Sequence, residues 1–305
     1  MTPKMIMMIG LPASGKSTKA IELAKEHNAN IHSSDSIREE LLKDVNNQDN
    51  NNLVFQTLHK RIKEDLRNNK SCIYDATNIS YKRRMAFLQE LNGIDCRKIC
   101  IFIATPYEEC IARNNERDRK VPIEVIEKMY RHIDIPAYYE GWDIIGFRYT
   151  KDTVKFYGSP VEWVTQVKGY SQDNTNHALS LGEHCEKTHK RIEQIIDLDN
   201  PALSIAALLH DCGKPFCKTF ENCKGEITEQ AHYYNHENVG AYNSLFYDCN
   251  VYEKGYIALL IRLHMLPYFW ERDNNTKMQN KYRKLWGEGL YQDVMLLHNA
   301  DKSAH

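Results

Sequence analysis

Two sets of residues in this chain have types and spacings that can do chemistry. Gly10-Leu11-Pro12-Ala13-Ser14-Gly15-Lys16-Ser17 matches G-x-x-x-x-G-K-[ST] at every fixed position, behind an apolar run and ahead of a helical pattern. Glycines there let the backbone curl until its N–H groups face phosphate oxygens, and the helix N-terminus adds a positive dipole end. Gly10, Ser14, Gly15, Lys16, Ser17 and Thr18 are the candidate nucleotide-binding set, with Lys16 bridging the β- and γ-phosphates and Ser17 a ligand of Mg²⁺. The cofactors expected there are ATP and Mg²⁺. The second set lies far down the chain. His210-Asp211 close an apolar stretch, and His184, His236, His264 and Asp301 occupy helical positions. Imidazoles and carboxylates are ligands for Mn, Fe, Ni or Zn. An Asp beside a His can serve two ions if its carboxylate bridges, and two ions about 3.5–4 Å apart suit hydrolysis of phosphate esters. Each histidine could equally be a hydrogen-bonded core residue, because spacing alone does not show that the side chains converge.

Phosphate binding does not name an acceptor. "HSSDSIR" puts Asp35 and Arg38 one helical turn apart. A carboxylate there could take the proton of an acceptor hydroxyl, and the arginine could grip an acceptor phosphate. The alternative is a helix cap and a surface arginine. "CIYDATN" ends an apolar run at Asp75, where a carboxylate for Mg²⁺ or for orienting substrate would sit, or a simple turn. "CIARNNERDRKVP" carries Arg113, Arg117, Arg119 and Lys120, with Arg113 and Arg117 four apart and so predicted to share a helix face. Cations brought over a transferring phosphoryl group stabilise its charge. Alternatively the run is a solvated face neutralised by Glu116 and Asp118.

The elements that must position these groups differ between the two halves. Up to about residue 150, short apolar runs alternate with helical patterns, which predicts a parallel α/β sheet. Strands are expected over Met5–Ile9, Ala29–Ser33, Ser71–Asp75 and Lys98–Ala104, and helices from about Lys16, Ser36, Asn52, Tyr81, Tyr107 and Pro122. "NNQDNNN", Asn46 to Asn52, reads as a mobile loop. "GFRYTKDTVKFYGSPVEWV" reads as an edge strand or hairpin followed by a linker, over 151–171. From His177 onward the pattern is helical to the end, which predicts an all-α domain over 172–305, and "PALSIAALLHDCGK" starts with a proline and stops at a glycine, a good helix frame.

At 305 residues, two domains are the fair expectation. The net charge of −1 gives no global attraction to a polyanion, so any such binding needs local positive charge. No apolar run is long enough for a membrane span, and the apolar N-terminus reads as a buried strand rather than a signal peptide. Nine scattered cysteines predict free thiols and a reducing cytoplasm.

GLPASGKS, SSDSIR, YDATN and RNNER followed by VPIEVIEKMYR resemble, over residues 1–150, the bacteriophage-type polynucleotide 5′-kinases. The resemblance implies Asp35 as general base, Arg38 on the acceptor's phosphate, and Arg113 and Arg117 on the donor phosphates. "GEHC", "LLHDCGK", "YYNHENVGA", "IRLHM" and "HNADKSA" resemble in order the HD-domain metal-dependent phosphohydrolases. That resemblance implies His184, His210, Asp211 and Asp301 as ligands of one metal. His236 and His264 would hold a second, with Asp211 bridging and Lys214 near the substrate phosphate or a bridging water. His177 and His232 lie beside the motif as minor candidates for substrate contact. His189 and His298 read as structural or surface residues. Asp301, four residues from the end, is expected to be poorly held without metal.

A P-loop kinase joined to an all-α HD domain implies end healing of nucleic acid: a phosphate added at a 5′-hydroxyl, and a 2′,3′-cyclic or 3′/2′-phosphate removed. The partners expected are polynucleotide ends, RNA ahead of DNA, and a separate ligase. Two other readings stay open at this stage: a small-molecule or nucleoside kinase fused to a nucleotide phosphohydrolase, and an ATP-responsive binding module.

Overall fold

The run KMIMMI has no polar alternation, the pattern of a strand buried on both faces of a parallel sheet. In the computed structural model it forms β1 (Lys4–Ile9), with Met5 to Ile9 all buried. The structure describes residues 2–47, 49–149, 157–175, 178–195, 200–250 and 253–304. The chain divides into two units, Met1–Met129 with Pro136–Val154, and Tyr130–Ile135 with Lys155–His305.

In the first unit β1 is followed by α1 (Lys16–His27), β2 (Asn30–Ser33), α2 (Ser34–Leu42) and α3 (Asn51–Arg67). Then come β3 (Cys72–Asp75), α4 (Tyr81–Glu90), β4 (Arg97–Ala104), α5 (Tyr107–Glu116), α6 (Ile123–Arg131) and β5 (Ile144–Tyr149). The sheet order is β2-β3-β1-β4-β5, with every pairing parallel. Ile6, Met8, Ile73, Ile99, Ile101 and Ile103 pack with Ala20 and Leu23 of α1 on one face. Because all strands run the same way, the residues after β1, β2, β3 and β4 meet along the carboxyl edge, where ligands bind in open α/β sheets. The α/β fold predicted for this half is the fold found. β5 is an edge strand parallel to β4, and it pairs with no other strand among the described residues.

The second unit is mainly helical: α7 (Pro160–Gln166), α8 (Leu181–Ile195), α9 (Pro201–Leu209), α10 (Lys214–Cys217), α11 (His236–Ser244), α12 (Lys254–Leu263), α13 (Leu266–Arg272), α14 (Thr276–Trp286) and α15 (Glu288–Lys302). α7 occupies part of the stretch read as a linker. Ser159 caps it by accepting from Glu162 N, Glu162 accepts in return from Ser159 N, and Pro160 takes the first turn. The rest of that stretch lies partly outside the described residues.

Two expectations for this half need correction. It is not helical throughout: β6 (Thr219–Glu221) and β7 (Ile227–His232) form an antiparallel hairpin. The sequence between them, NCKGE, carries its turn signal in Gly225 at φ +82°. Nor does Gly213 end the helix by a left-handed turn. α9 ends at Leu209, and Gly213 has φ −82°. Its missing side chain serves close packing, since a Cβ there would stand 2.1 Å from the His236 carbonyl oxygen and 2.6 Å from Gly240 N. All nine cysteines are free. Among the described residues no helix is long and apolar enough to cross a membrane.

Candidate functional site

The phosphate cradle is formed as its sequence requires. Gly10 has φ +153° and a Cβ would meet Ile103 O and Ser14 Oγ at 2.9 Å, so the loop closes only around a glycine. Gly15 precedes α1 at φ 93° in the left-handed region. Thr105, after β4, donates through Oγ1 to Ser14 O at 2.9 Å, and Asn78, after β3, donates through Nδ2 to Met8 O at 2.9 Å. Lys16 is buried with Nζ 2.6 Å from Leu11 O. Burial pushes its amine down to about 8 against the pull of Asp75. Ser17 Oγ donates to Asp75 Oδ2 at 2.8 Å. Burial raises the Asp75 carboxyl, the Ser17 hydrogen bond and Lys16 opposing. Hydroxyl and carboxylate side by side at the start of α1 make the oxygen pair that would hold Mg²⁺.

Asp35 stands in the first turn of α2 and is half exposed, open to an acceptor. Arg38 Nη1 donates to its Oδ1 at 3.0 Å and Arg119 Nη1 to its Oδ2 at 2.6 Å. Each carboxylate oxygen keeps a second lone pair for a hydroxyl. Arg38 is buried, anchored through Nη2 to Asn51 Oδ1 at 2.8 Å. Arg119 also donates to Asn46 Oδ1 and to Val45 O. The expected mobile loop over 46–52 is therefore only partly a loop: α3 begins at Asn51, and Asn46 and Asn51 hold the site's arginines. Gln48 lies outside the described residues.

The two predicted lid arginines separate. α5 ends at Glu116, and Arg117 is extended at ψ 155°, so it does not share a helix face with Arg113. Arg113 pairs with Glu109 at 2.8 Å. Arg117 Nε is buried without a hydrogen-bond partner, and burial, then the neighbouring Arg119, lowers its affinity for its proton while Asp35 pulls the other way. Arg117 also opposes the charge of Lys16. Arg117 thus keeps an uncommitted donor within the field of the phosphate cradle.

In the second unit, the His and Asp residues converge. His184 from α8, His210 after α9 and Asp301 from α15 offer ligand atoms within 4.8 Å of one another, as do Asp211, His236 and His264. Asp211 serves both groups. Its Oδ2 lies 3.6 Å from His184 Nε2 and 3.4 Å from His210 Nε2, and its Oδ1 lies 3.3 Å from His236 Nε2. All six residues are buried.

Backbone carbonyls settle which ring nitrogens face inward. Nδ1 of His210 lies 2.9 Å from Ala207 O, Nδ1 of His236 lies 2.8 Å from Tyr233 O, and Nδ1 of His264 lies 2.6 Å from Ile261 O. A carbonyl only accepts, so each Nδ1 carries the proton and each Nε2 is aimed into the nest. His236 Nε2 and His264 Nε2 are buried with no hydrogen-bond partner. Burial, then the nearby His236 and His210, pushes His264 down to about 3, so it is a neutral donor. At His210 burial opposes charge, but Asp211 and Asp301 overcome it and push the imidazole up to about 10. In both Asp211 and Asp301 burial is overcome as well, by Lys214 and His210 at the first and by His210 at the second, and each carboxyl falls well below its usual range. The Nε2 atoms of His210, His236 and His264 around two carboxylates are a donor set able to hold divalent ions of the imidazole-binding kind, which would displace the proton that His210 carries.

Asp301 is not frayed: it is buried in α15, with His184 Nε2 2.9 Å from Oδ1 and Tyr268 OH donating to Oδ2 at 3.2 Å. Lys214 ion-pairs with Asp211 Oδ2 at 2.7 Å and donates to Gln172 Oε1 at 2.8 Å. Tyr268, Gln172 and Tyr233 are site residues that sequence reasoning does not find. None belongs to a motif, though Tyr233 sits inside the quoted YYNHENVGA. Cys185 also reaches the nest, within 4.8 Å of His210 and Asp211 donors, with its thiol raised by burial. His232 hydrogen-bonds Thr228 and stacks on Tyr234, away from the ligands. His189 bonds Ser204, and the buried His298 bonds Glu271. His177 lies outside the described residues.

The AAA domain family matches residues 5–136. L-seryl-tRNA(Sec) kinase of Methanococcus maripaludis is 32% identical over 216 residues, which cover 69% of this chain and 82% of that protein. The chain belongs to the same family of P-loop kinases. Among solved structures, a putative kinase from Chloroflexus aurantiacus j-10-fl is 21% identical over 49% of this chain and 86% of its own, at a TM-score of 0.42. A chain of the Pnkp1/Rnl/Hen1 RNA repair complex is 23% identical over 42% and 43% respectively, at a TM-score of 0.36. As a P-loop kinase the protein uses ATP with Mg²⁺. The AAA domain match ends at residue 136 and does not reach the helices from α7 onward.

Proposed function

We propose that this P-loop kinase is a bifunctional end-healing enzyme of nucleic acid. The first unit phosphorylates 5′-hydroxyl ends from ATP, and the second removes a 2′,3′-cyclic or 3′/2′-phosphate. The carrying observation is a P-loop with the Asp35–Arg38 pair in one unit and a buried, converged His/Asp cluster in the other, on one chain. At the first, the 5′-oxygen attacks the γ-phosphorus, the bond to ADP breaks, and the hydroxyl proton passes to Asp35. Arg38 grips a phosphate of the acceptor, and Lys16 and Arg117 offset charge on the donor phosphates. The relative's substrate, by its name a seryl-tRNA, supports an acceptor carried on RNA.

At the second site, His184, His210, Asp211 and Asp301 would hold one transition-metal ion and His236 and His264 the other, with Asp211 between them. Such ions supply an activated water and withdraw charge from phosphoryl oxygens. Lys214 adds a positive charge beside Asp211, placed to pair with a substrate phosphate.

The test offers an RNA with a 5′-hydroxyl and a 2′,3′-cyclic phosphate, together with ATP and Mg²⁺ or Mn²⁺, and reads both ends by mass. A gained 5′-phosphate with an opened or lost 3′-end phosphate is expected. An untouched RNA with turnover of mononucleotides would replace this reading by a small-molecule kinase fused to a nucleotide phosphohydrolase. ATP bound without turnover of either would point to a binding module.

A further inference from the structure

α14 reads TKMQNKYRKLW, four basic residues and no acid. Lys277, Lys281 and Lys284 are exposed. At 100° per residue they fall within about 60° of one another, spread over roughly 10 Å of helix. Several lysines on other helices meet acids: Lys19 with Glu22, Lys60 with Glu64, Lys190 with Glu186, Lys302 with Glu271. Arg283, on another side of α14, is consumed by a two-pronged pair with Glu288. Lys277, Lys281 and Lys284 have no acidic partner among the described residues. In a chain of net charge −1 this is a local cationic stripe that nothing among the described residues neutralises.

The opposite side of α14 is fixed to the metal nest's own helices. Tyr282 stacks on Trp270 of α13 with centroids 5.4 Å apart, and Trp286 lies 5.6 Å from the same ring. Gln279 donates to Tyr291 OH of α15 at 2.7 Å. α13 supplies Tyr268, which holds Asp301, and α15 carries Asp301 itself. These contacts hold the helix that carries the stripe one helix layer outward from the nest, about 8–10 Å between axes.

We infer that Lys277, Lys281 and Lys284 bind the phosphate backbone of a single-stranded polynucleotide whose 3′ end enters the metal nest. This deepens the end-healing reading and rests on it for the choice of polynucleotide. A phosphate on the outer face of α14 belongs to a different nucleotide from the one in the nest. The stripe therefore selects chains over mononucleotides. Charge complementarity carries the assignment: three unpaired, flexible ammonium groups in a row suit successive phosphates, without base readout.

The test uses the full-length protein with Lys277→Gln, Lys281→Gln and Lys284→Gln combined, and a second variant with arginine at the same positions. Binding of a short fluorescent single-stranded RNA is followed by anisotropy across salt concentrations. The glutamine variant is expected to bind at least tenfold more weakly at low salt. Its dependence of log affinity on log salt should be shallower by about 2, near 0.7 for each phosphate no longer neutralised. The arginine variant should restore both. Hydrolysis of a 2′,3′-cyclic mononucleotide should match wild type in both variants, since none of the three lysines touches the nest. Unchanged affinity and salt slope would overturn the inference. So would equal loss of mononucleotide hydrolysis that arginine does not restore, or a stripe that holds anionic phospholipid vesicles while RNA binding is unaffected. Wild-type protein that heals a dinucleotide's ends yet binds no RNA in a salt-sensitive way would remove the stripe and leave the catalytic reading standing.

Discussion

Arg119 lies 2.6 Å from Asp35, on the carboxylate oxygen that Arg38 does not take, and the same guanidinium ties down Asn46 and Val45. One arginine thus joins the segment after α5 to the segment after α2 through the proposed general base. The pair is well exposed, so its own energy is small. Its consequence is orientation. Asp35→Asn should lower kcat for 5′-phosphorylation by about 10²-fold or more. Arg119→Ala should lower it by less than about tenfold, and the double variant should be no worse than Asp35→Asn alone, because both act through one carboxylate. Steady-state phosphorylation of a 5′-hydroxyl oligonucleotide measures all three. Wild-type kcat in Asp35→Asn would remove Asp35 as the base.

Lys16 gives a pH dependence with a definite sign. Burial holds its amine near 8 in the ligand-free protein, below the usual lysine range. Only the protonated form attracts phosphate oxygens. ATP affinity should therefore weaken as pH rises from about 7 to 9, and the bound nucleotide should drive proton uptake near pH 8. The stability contribution runs the other way: between pH 8 and the ordinary lysine value, the unfolded chain holds the extra proton, so the fold gains stability as pH rises. Calorimetric titration with ATP in buffers of different ionisation heat checks the uptake. Affinity independent of pH, with no proton exchange, would contradict the assigned burial of Lys16.

Much of the first unit was legible because its signals are local. A continuous apolar run marks a central parallel strand, and a glycine pattern behind it marks the cradle. The strands and helices expected at Met5–Ile9, Lys16, Tyr81 and Tyr107 lie within a residue of those found. What was not legible depended on contacts distant in sequence. Asn46 and Asn51 looked like loop filler because the arginines they hold come from α2 and from beyond α5. Arg113 and Arg117 looked paired because their spacing assumes a helix that stops at Glu116. Gly213 looked like a helix terminator because a missing Cβ gives the same letter for a left-handed turn and for close packing. In the nest, types and order were readable, but convergence was not. Tyr268 and Gln172 carry no motif and become visible only when α13 and the segment before α8 close on the ligands.

The metal nest and the phosphate cradle should fail separately. Gly213→Ala places a carbon 2.1 Å from the His236 carbonyl oxygen, so α11 must shift and His236 with it. About 1–3 kcal/mol of destabilisation is expected, with loss of phosphohydrolase activity and retained 5′-kinase activity. His264→Ala should also destabilise, because it opens a buried cavity and removes the Nδ1 bond to Ile261 O, and it should abolish hydrolysis while sparing the kinase. Assays of both ends on one labelled RNA, with thermal melts alongside, separate these outcomes. Lys16→Met should give the mirror image, hydrolysis without phosphorylation. Loss of both activities in Lys16→Met or in His264→Ala would show the sites to be interdependent.

Chelation tests whether the nest is filled in the working protein. An ion bound to folded His and Asp ligands and not to the unfolded chain stabilises the fold by mass action. Dialysis against a strong chelator should lower the melting temperature and stop hydrolysis. Re-addition of Mn²⁺ should restore both, while Mg²⁺ alone should restore only phosphorylation. A melting temperature and a hydrolysis rate that ignore the chelator would show that the imidazoles serve packing.

Arg84 and Glu140 form the buried ion pair whose loss should cost the first unit most. Both side chains are fully buried, joined by two bonds of 2.8 Å, Nε to Oε2 and Nη2 to Oε1. Glu140 also accepts from Ala137 N and Trp142 Nε1, each at 3.1 Å. Arg84 Nη1 donates to the carbonyls of Asn78 and Ile79, just after β3 and its Asp75. Removing one partner leaves the other charge buried alone. Glu140→Gln should therefore cost about 3–5 kcal/mol. Replacing both by apolar residues often recovers such a loss, but here only part should return. The Ala137 and Trp142 donors and two carbonyls would stay buried without partners. Denaturant melts of Glu140→Gln and of Arg84→Met with Glu140→Leu measure the two costs. The Ser17–Asp75 pair stands at the end of the strand that this cluster follows. A fall in Mg²⁺-ATP affinity greater than the unfolded fraction explains would show that the ion pair also positions Asp75.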